Sequence, residues 1–331
     1  MLPVASGGLT AVNKITDTKI DGLTSGSSGL QYYDKDKQKF YKINENGEIE
    51  ELSNTLFYQV ETVSWSNNGE KAILEYPDGS NILYNFKTGK QVTLPREMEE
   101  FSFNSIGNQI TAKWIGNYEE DNWIVAANDD GSGMFLVEAL GDQSYSTDVG
   151  YSPDNQIAAV HHKAYGIDRQ EIYPIGLHGE NLKSFVVDGA GFTSAWSPEG
   201  STLLYSVHNQ ATDYTPNLWV TQGKTSELGD LKVSLNVATW PEKCTFSGEN
   251  TLFCAVPQGL PRGAGLFPEI ADRYPDNFYH IDLNTGTKTL IASPVGESGS
   301  YTAYNLFTSD DGSILYFIDN NSGTLQSIRL K

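Results

Sequence analysis

Five histidines, two cysteines and a set of aromatic and arginine side chains in polar segments are the residues with which this chain could do chemistry. The histidines are His161, His162, His178, His208 and His280. His162 and His208 hold equivalent places, each where an apolar run gives way to a polar loop. Two imidazoles could begin a metal site, with a carboxylate from Glu119, Glu120, Asp121, Asp168 or Asp213. A catalytic metal takes about three protein ligands, and nothing in the spacing demands the third. The chain has no Gly-x-Ser-x-Gly elbow, His-Glu-x-x-His helix, phosphate-binding glycine loop or EF-hand loop. Asp129-Asp130-Gly131-Ser132-Gly133 reads as a turn between strands. The sequence therefore assigns no catalytic residue and no cofactor.

The cysteines, Cys244 and Cys254, flank the turn Ser247-Gly248-Glu249-Asn250. They are equidistant from residue 249, so antiparallel pairing about that turn sets them opposite each other. A non-hydrogen-bonded pair comes close enough for a disulfide. The alternative is two buried thiols that act as small apolar fillers. A disulfide would place the protein outside the reducing cytoplasm.

The elements that must position these residues announce themselves by a repeated phrase: an aromatic residue, Ser, two turn residues, then Gly or Asn. It reads Trp65-Ser66-Asn67-Asn68-Gly69, Tyr151-Ser152-Pro153-Asp154-Asn155, Trp196-Ser197-Pro198-Glu199-Gly200 and Phe246-Ser247-Gly248-Glu249-Asn250. Phe103-Asn104-Ser105-Ile106-Gly107 and Thr308-Ser309-Asp310-Asp311-Gly312 are weaker copies. Each phrase joins two β-runs, as 60–65 joins 72–76. Ser caps the turn, Asp or Asn closes it, and Gly takes a positive φ. Two further runs follow, so the unit is a four-stranded meander. Anchors at 66, 104, 152, 197, 247 and 309 are 38, 48, 45, 50 and 62 residues apart, the spacing of propeller blades. A degenerate unit over 18–53 precedes them.

The expected fold is an all-β, seven-bladed propeller of four-stranded antiparallel blades, with six blades as the nearest alternative. The blades read as 18–53, 60–94, 100–140, 147–187, 192–229, 237–292 and 301–330. The last supplies only three strands, so the orphan run 9–16 is expected to close the ring as its outer strand. Residues 1–8 read as a flexible tail before a single domain over 9–331. The Ser-Pro-Asp/Glu-Gly/Asn phrases, followed by apolar strands such as Ile157-Ala158-Ala159-Val160 and Leu203-Leu204-Tyr205, resemble the TolB-like propeller repeats of bacterial proteins, cousins of the WD-repeat propellers. That resemblance implies a scaffold, a receptor or, in some members, an enzyme; some TolB-like lyases bind a metal through His residues on one side of the ring. Thr239-Trp240-Pro241-Glu242-Lys243-Cys244 and Tyr279-His280-Ile281-Asp282-Leu283 also look like repeats of bacterial envelope proteins.

The balance of 22 Lys and Arg against 42 Asp and Glu, a net charge of −20, repels a phosphate backbone and argues against nucleic acid. A surface this acidic favours a soluble monomer. No apolar run approaches the length of a membrane span. The start, Met1 to Gly8, lacks the basic and apolar regions of a signal peptide, and a removed signal or anchor ahead of it is compatible with export. In a propeller, the connections between second and third strands share a face with those between blades. They are short in blades one, two and seven, but run over 116–121, 162–169, 209–216 and 257–277 in blades three to six. Long ordered loops are usually functional. Their aromatic and arginine content marks Tyr118, Trp123, Tyr165, Arg169, Tyr214, Arg262, Phe267, Arg273 and Tyr274, with His162 and His208, as the candidate ligand-binding set. The expected function is an extracytoplasmic, non-enzymatic binding or scaffold propeller for a protein or carbohydrate partner. The alternative is a metal-assisted polysaccharide lyase or hydrolase acting near His162 and His208.

Overall fold

A computed structural model describes residues 4–26, 29–44, 47–296 and 299–331. The chain is a seven-bladed β-propeller of four-stranded antiparallel blades. Blade one comprises Ile20–Gly26, Gly29–Asp34, Lys39–Ile43 and Ile49–Glu51; blade two comprises Thr62–Trp65, Lys71–Glu75, Asn81–Asn85 and Gln91–Leu94. Blade three runs through Met98–Phe103, Gln109–Trp114, Trp123–Asn128 and Phe135–Ala139, and blade four through Thr147–Val149, Ile157–Ala164, Gln170–Gly176 and Phe185–Val187. Blade five has Ala190–Trp196, Thr202–His208, Asn217–Gln222 and Val233–Ser234; its fourth strand lies beyond the expected limit at 229 because a turn over 223–231 intervenes. Blade six has Cys244–Phe246, Thr251–Pro257, Asp276–Asp282 and Thr287–Val295, and blade seven Ala303–Thr308, Ile314–Asp319 and Leu325–Arg329. The strands fall into two compact units, one of residues 20–163 and 172–185, the other of residues 1–19, 164–171 and 186–331. Of the expected blade-one turn over 25–29, Ser27 and Ser28 lie outside the described residues.

The repeated phrase works through its serine. Ser66, Ser152 and Ser197 are almost wholly buried. Each Oγ accepts the backbone N–H five residues on, from Lys71, Ile157 and Thr202, at 3.0 Å. Ser66 and Ser152 donate their hydroxyls to Asn68 and Asp154, and Ser309 repeats the arrangement with Asp311 and the N–H of Ile314. One side chain thus closes the hairpin and fixes where the second strand starts, which explains why Asn or Asp recurs two residues later. In the second unit the phrases also join neighbouring blades. Ser197 donates to Glu249 of the blade-six phrase at 2.7 Å, and the same carboxylate accepts Glu199 N–H and the Ser201 hydroxyl.

In that unit the N-terminal run divides. Asn13–Lys14 pairs antiparallel with the last strand, Asn13 opposite Ser327, and so completes blade seven as expected. Leu9–Ala11 instead pairs parallel with Ser293–Val295 as a fifth strand of blade six. The supposed tail is also tied down. Ala5 N–H donates to Arg329 O, Gly7 N–H to Ile291 O, and Gly8 O accepts Ser293 N–H, while residues 1–3 lie outside the described residues. These bonds satisfy backbone groups that the edges of blades six and seven would otherwise leave unpaired. Blades six and seven share a core of Phe253, Phe278, Tyr301, Leu306, Leu315 and Phe317. Beside it Lys243 Nζ reaches Asp276 at 2.8 Å and Ala303 O at 2.6 Å, and Asp276 also accepts Ala303 N–H.

Cys244 faces Cys254 in the register of blade six, and the two form a disulfide with Cα atoms 4.1 Å apart. It staples adjacent strands, as their equal distance from residue 249 suggested. Closing so short a loop is worth about 2–3 kcal/mol in the chain-entropy model.

In the first unit, Ile73, Met98, Phe103, Ile110 and Val125 pack between blades two and three, and Tyr33, Phe40, Phe57 and Tyr84 between blades one and two. The first strand bulges in blades one and three, with Gly22 and Glu100 in the left-handed region at φ +55° and +54°.

Two outcomes test this account. Ser152→Ala, by orphaning the buried Ile157 N–H, should lower stability by about 1–3 kcal/mol in urea unfolding. Thiol titration under denaturing, non-reducing conditions should find no reactive cysteine; two per chain would refute the disulfide.

Candidate binding surface

The second unit brings together the connections of blades four, five and six. The blade-five connection starts at Asn209, whose side chain accepts Thr212 N–H while Thr212 Oγ1 accepts Asn209 N–H. That reciprocal cap forces the chain into the left-handed region at two successive residues, Asp213 at φ +52° and Tyr214 at φ +54°. Neither is glycine, and such conformations cost of order 1–3 kcal/mol each. The strained turn points two carbonyls at the blade-six connection. Asp213 O accepts Gly263 N–H at 2.9 Å, and Tyr214 O accepts Gly265 N–H at 2.7 Å. Arg262 adds a 3.4 Å ion pair to Asp213, both side chains well exposed.

His208 lies beneath this junction, 6% exposed. A Cβ at Gly265 would stand 2.6 Å from its ring, so only glycine allows the loop to close over it. Burial lowers the His208 pKa, and Asp168 pulls the other way. Around it, Tyr165 carries the Arg169 guanidinium 5.3 Å above its ring. Ile167, Leu266 and Phe267 are exposed by 99%, 54% and 61%. Arg273 is exposed and Tyr274 half-buried. Gln258 N–H donates to Pro275 O, which holds the two ends of the blade-six loop together. The unit thus unites Tyr165, Arg169, His208, Tyr214, Arg262, Phe267, Arg273 and Tyr274 in ordered loops.

The first unit holds the others. His162 faces Asp148, with Nε2 3.9 Å from Oδ2. Asp148 joins Glu75, Glu99 and Glu100 around a cavity of about 450 Å³. Burial raises the Asp148 pKa, with His162 and Lys113 acting against it and Glu100 adding to it. The nearly buried Lys113 binds Glu100 at 2.7 Å. Glu75 is raised to about 6, first by burial and then by Glu99, Glu100 and Glu61, against a hydrogen bond from the Glu100 backbone. Neither His162 nor His208 belongs to a group of three or more His, Cys, Asp or Glu placed to hold a metal, among the described residues. Tyr118, 69% exposed, and the half-buried Trp123 flank the blade-three connection.

Solved structures share this architecture. The Cps50 (Swd1) β-propeller domain of Myceliophteria thermophila aligns with 97% of this chain and 100% of its own, at a TM-score of 0.60 and 11% identity. An oligogalacturonate lyase from Vibrio parahaemolyticus aligns over 100% and 96%, at 0.60 and 10% identity. An oligogalacturonate lyase in complex with manganese aligns over 99% of each chain, at 0.58 and 12% identity. The chain is a β-propeller. At these identities the likeness is one of fold. No family model and no curated protein matches the sequence.

Sequence reasoning did not single out Asp213 as a strained residue, Gly265 as a lid or Glu75, Glu99 and Glu100 as a cluster. Glu75 ends the second strand of blade two while Glu99 and Glu100 lie on the first strand of blade three, so only the fold brings them together.

Two measurements follow. Gly265→Val, which thrusts side-chain atoms against His208, should lower the Tm and raise protease cleavage within 258–275 specifically. Glu75 should titrate near 6 by NMR. Because its folded pKa is raised, its stabilising contribution is complete below about 4.5 and is lost as pH rises through 6. Tm should therefore fall more between pH 5 and 7 in the wild type than in Glu75→Gln.

Proposed function

We propose that this chain is an exported, non-enzymatic binding module of the TolB-like propeller kind, and that the joined loops of blades four to six form its surface for a protein partner. The observation that carries the reading is the strained pair Asp213–Tyr214, held against Gly263 and Gly265. Strain of this kind persists where the surroundings over-determine it and clusters at ligand-binding positions. Here it fixes a platform on which Leu266, Phe267 and Ile167 face solvent. Rigid exposed aromatic and aliphatic residues beside arginines are the anchors of protein interfaces. The disulfide supports a location outside the reducing cytoplasm.

Leu266→Asp and Phe267→Asp test the reading. Both sites are exposed, so stability should change by no more than about 0.5 kcal/mol. Each should reduce capture of a partner from the envelope fraction about tenfold, whereas Tyr145→Asp, at a still more exposed ring of the other unit, should not. Unchanged capture by both variants would sink the proposal. The lyase likeness gives a second reading, a divalent metal held at His162 or at His208. A manganese-dependent rise in Tm, abolished by His162→Ala or by His208→Ala, would favour it.

A further inference from the structure

Blade three carries a second kind of surface, separate from the loops just described. Trp114 ends its second strand and Trp123 begins its third, and the register sets them opposite each other. Opposed residues project to the same face of a sheet, so both indoles lie on one face of blade three. Both are half-buried, with inner edges against the core of blades two and three. They border a cavity of about 320 Å³ whose rim is Glu97, Asn117, Asp121 and Leu136. The three polar side chains are exposed and have no intramolecular hydrogen bond or ion pair among the described residues.

The cavity is firmly built. Asn122, only 6% exposed, accepts Gly116 N–H at 3.0 Å and donates to Gly141 O at 3.0 Å. Ile115 N–H donates to Glu97 O at 2.7 Å, and Asp121 N–H to Tyr118 O. A Cβ on Gly116 would come within 2.3 Å of Asp121 Cβ, so the tight connection requires glycine there. Asn117 and Asp121 are thereby held at fixed places beside the two rings.

We propose that this cavity binds a neutral sugar residue of a glycan. Flat indoles offer large rigid apolar faces to the C–H side of a sugar ring. Two carboxylates and an amide supply acceptors, and one donor group, for its hydroxyls. The volume lies at the small end of ligand sites and suits one or two rings rather than a long chain. Charge decides the class. Glu97 and Asp121 at the rim, on a protein of net charge −20, repel uronates and other anionic sugars. The site therefore selects against the acidic polysaccharide named for the lyases that share the fold.

Titration of the full chain with maltotriose, cellotriose, chitotriose and trigalacturonate, followed by calorimetry and intrinsic fluorescence, tests the inference. At least one neutral trisaccharide should bind saturably, and trigalacturonate should not. Trp123→Ala and Asp121→Ala should each weaken binding about tenfold, while Trp123→Phe, which keeps an aromatic face, should stay within about threefold. Asp121 is exposed, so that variant remains informative if removal of the indole impairs folding. The proposal is overturned if no neutral sugar binds at millimolar concentration, if trigalacturonate binds more tightly, or if Trp123→Ala and Asp121→Ala bind like the wild type. None of these outcomes depends on the partner surface of blades four to six.

Discussion

A serine hydroxyl at the head of the hairpin, found in blades two, four, five and seven, is the interaction on which the rest of the structure depends. A propeller blade is a small twisted sheet that cannot cover both of its faces alone, so it is stable only in register with its neighbours. Register within a sheet has a period of two, and a slip of one residue would turn every apolar side chain outward. Ser66, Ser152, Ser197 and Ser309 prevent that slip by taking the N–H that starts the second strand. With the hairpin pinned, the apolar positions of that strand, such as Ile73 or Ala158, fall on the faces that neighbouring side chains cover. The turn also pins one blade to the next where Glu249 collects Ser197, Ser201 and Glu199.

That economy explains what was legible in the sequence. The phrase is short, local and made of residue types with narrow conformational preferences, so the number of blades and their hairpins can be read directly. The cysteine pairing was readable for the same reason, since a hairpin centre converts sequence distance into register. The split of the N-terminal run was not. Residues 9–11 carry only Leu9, Thr10 and Ala11, too few to show which blade they join, and a parallel pairing leaves no turn signal. Nor was the fourth strand of blade five, because Val233–Ser234 is too short to carry a pattern.

The candidate surfaces divide along the same line. Which connections were long was visible in the uneven steps between phrases, and so were the aromatic and arginine residues within them. What those residues do is set by backbone geometry that no residue type announces. Asp213, Tyr214 and Glu100 adopt a conformation for which glycine is the ordinary choice, and each does so where neighbouring chain holds it. His162 and His208 show the converse. Their equivalent sequence positions promised equivalent roles, yet one faces Asp148 while the other is roofed by Gly265. The repeat equalises strands, and the loops then give matching positions different surroundings.

The two proposed surfaces also reach rigidity by different physical means. The blade-three cavity takes its order from the sheet: both indoles are strand-end residues, and a single buried amide, Asn122, ties the connecting turn to them. It needs no strain and presents a fixed, small, polar-rimmed slot. The loops of blades five and six have no sheet to stiffen them over residues 258–275. Their order comes from the backbone hydrogen bonds to Asp213 and Tyr214 that offset an unfavourable turn, from the Gln258–Pro275 bond that closes the blade-six loop, and from a histidine that leaves room only for glycine above it. Those contacts hold Leu266 and Phe267 in place as exposed anchors. A sugar subsite gains from the first arrangement, because a small ligand cannot offset the ordering of a loose site. A protein surface gains from the second, because anchors that are ordered beforehand lower the cost of association.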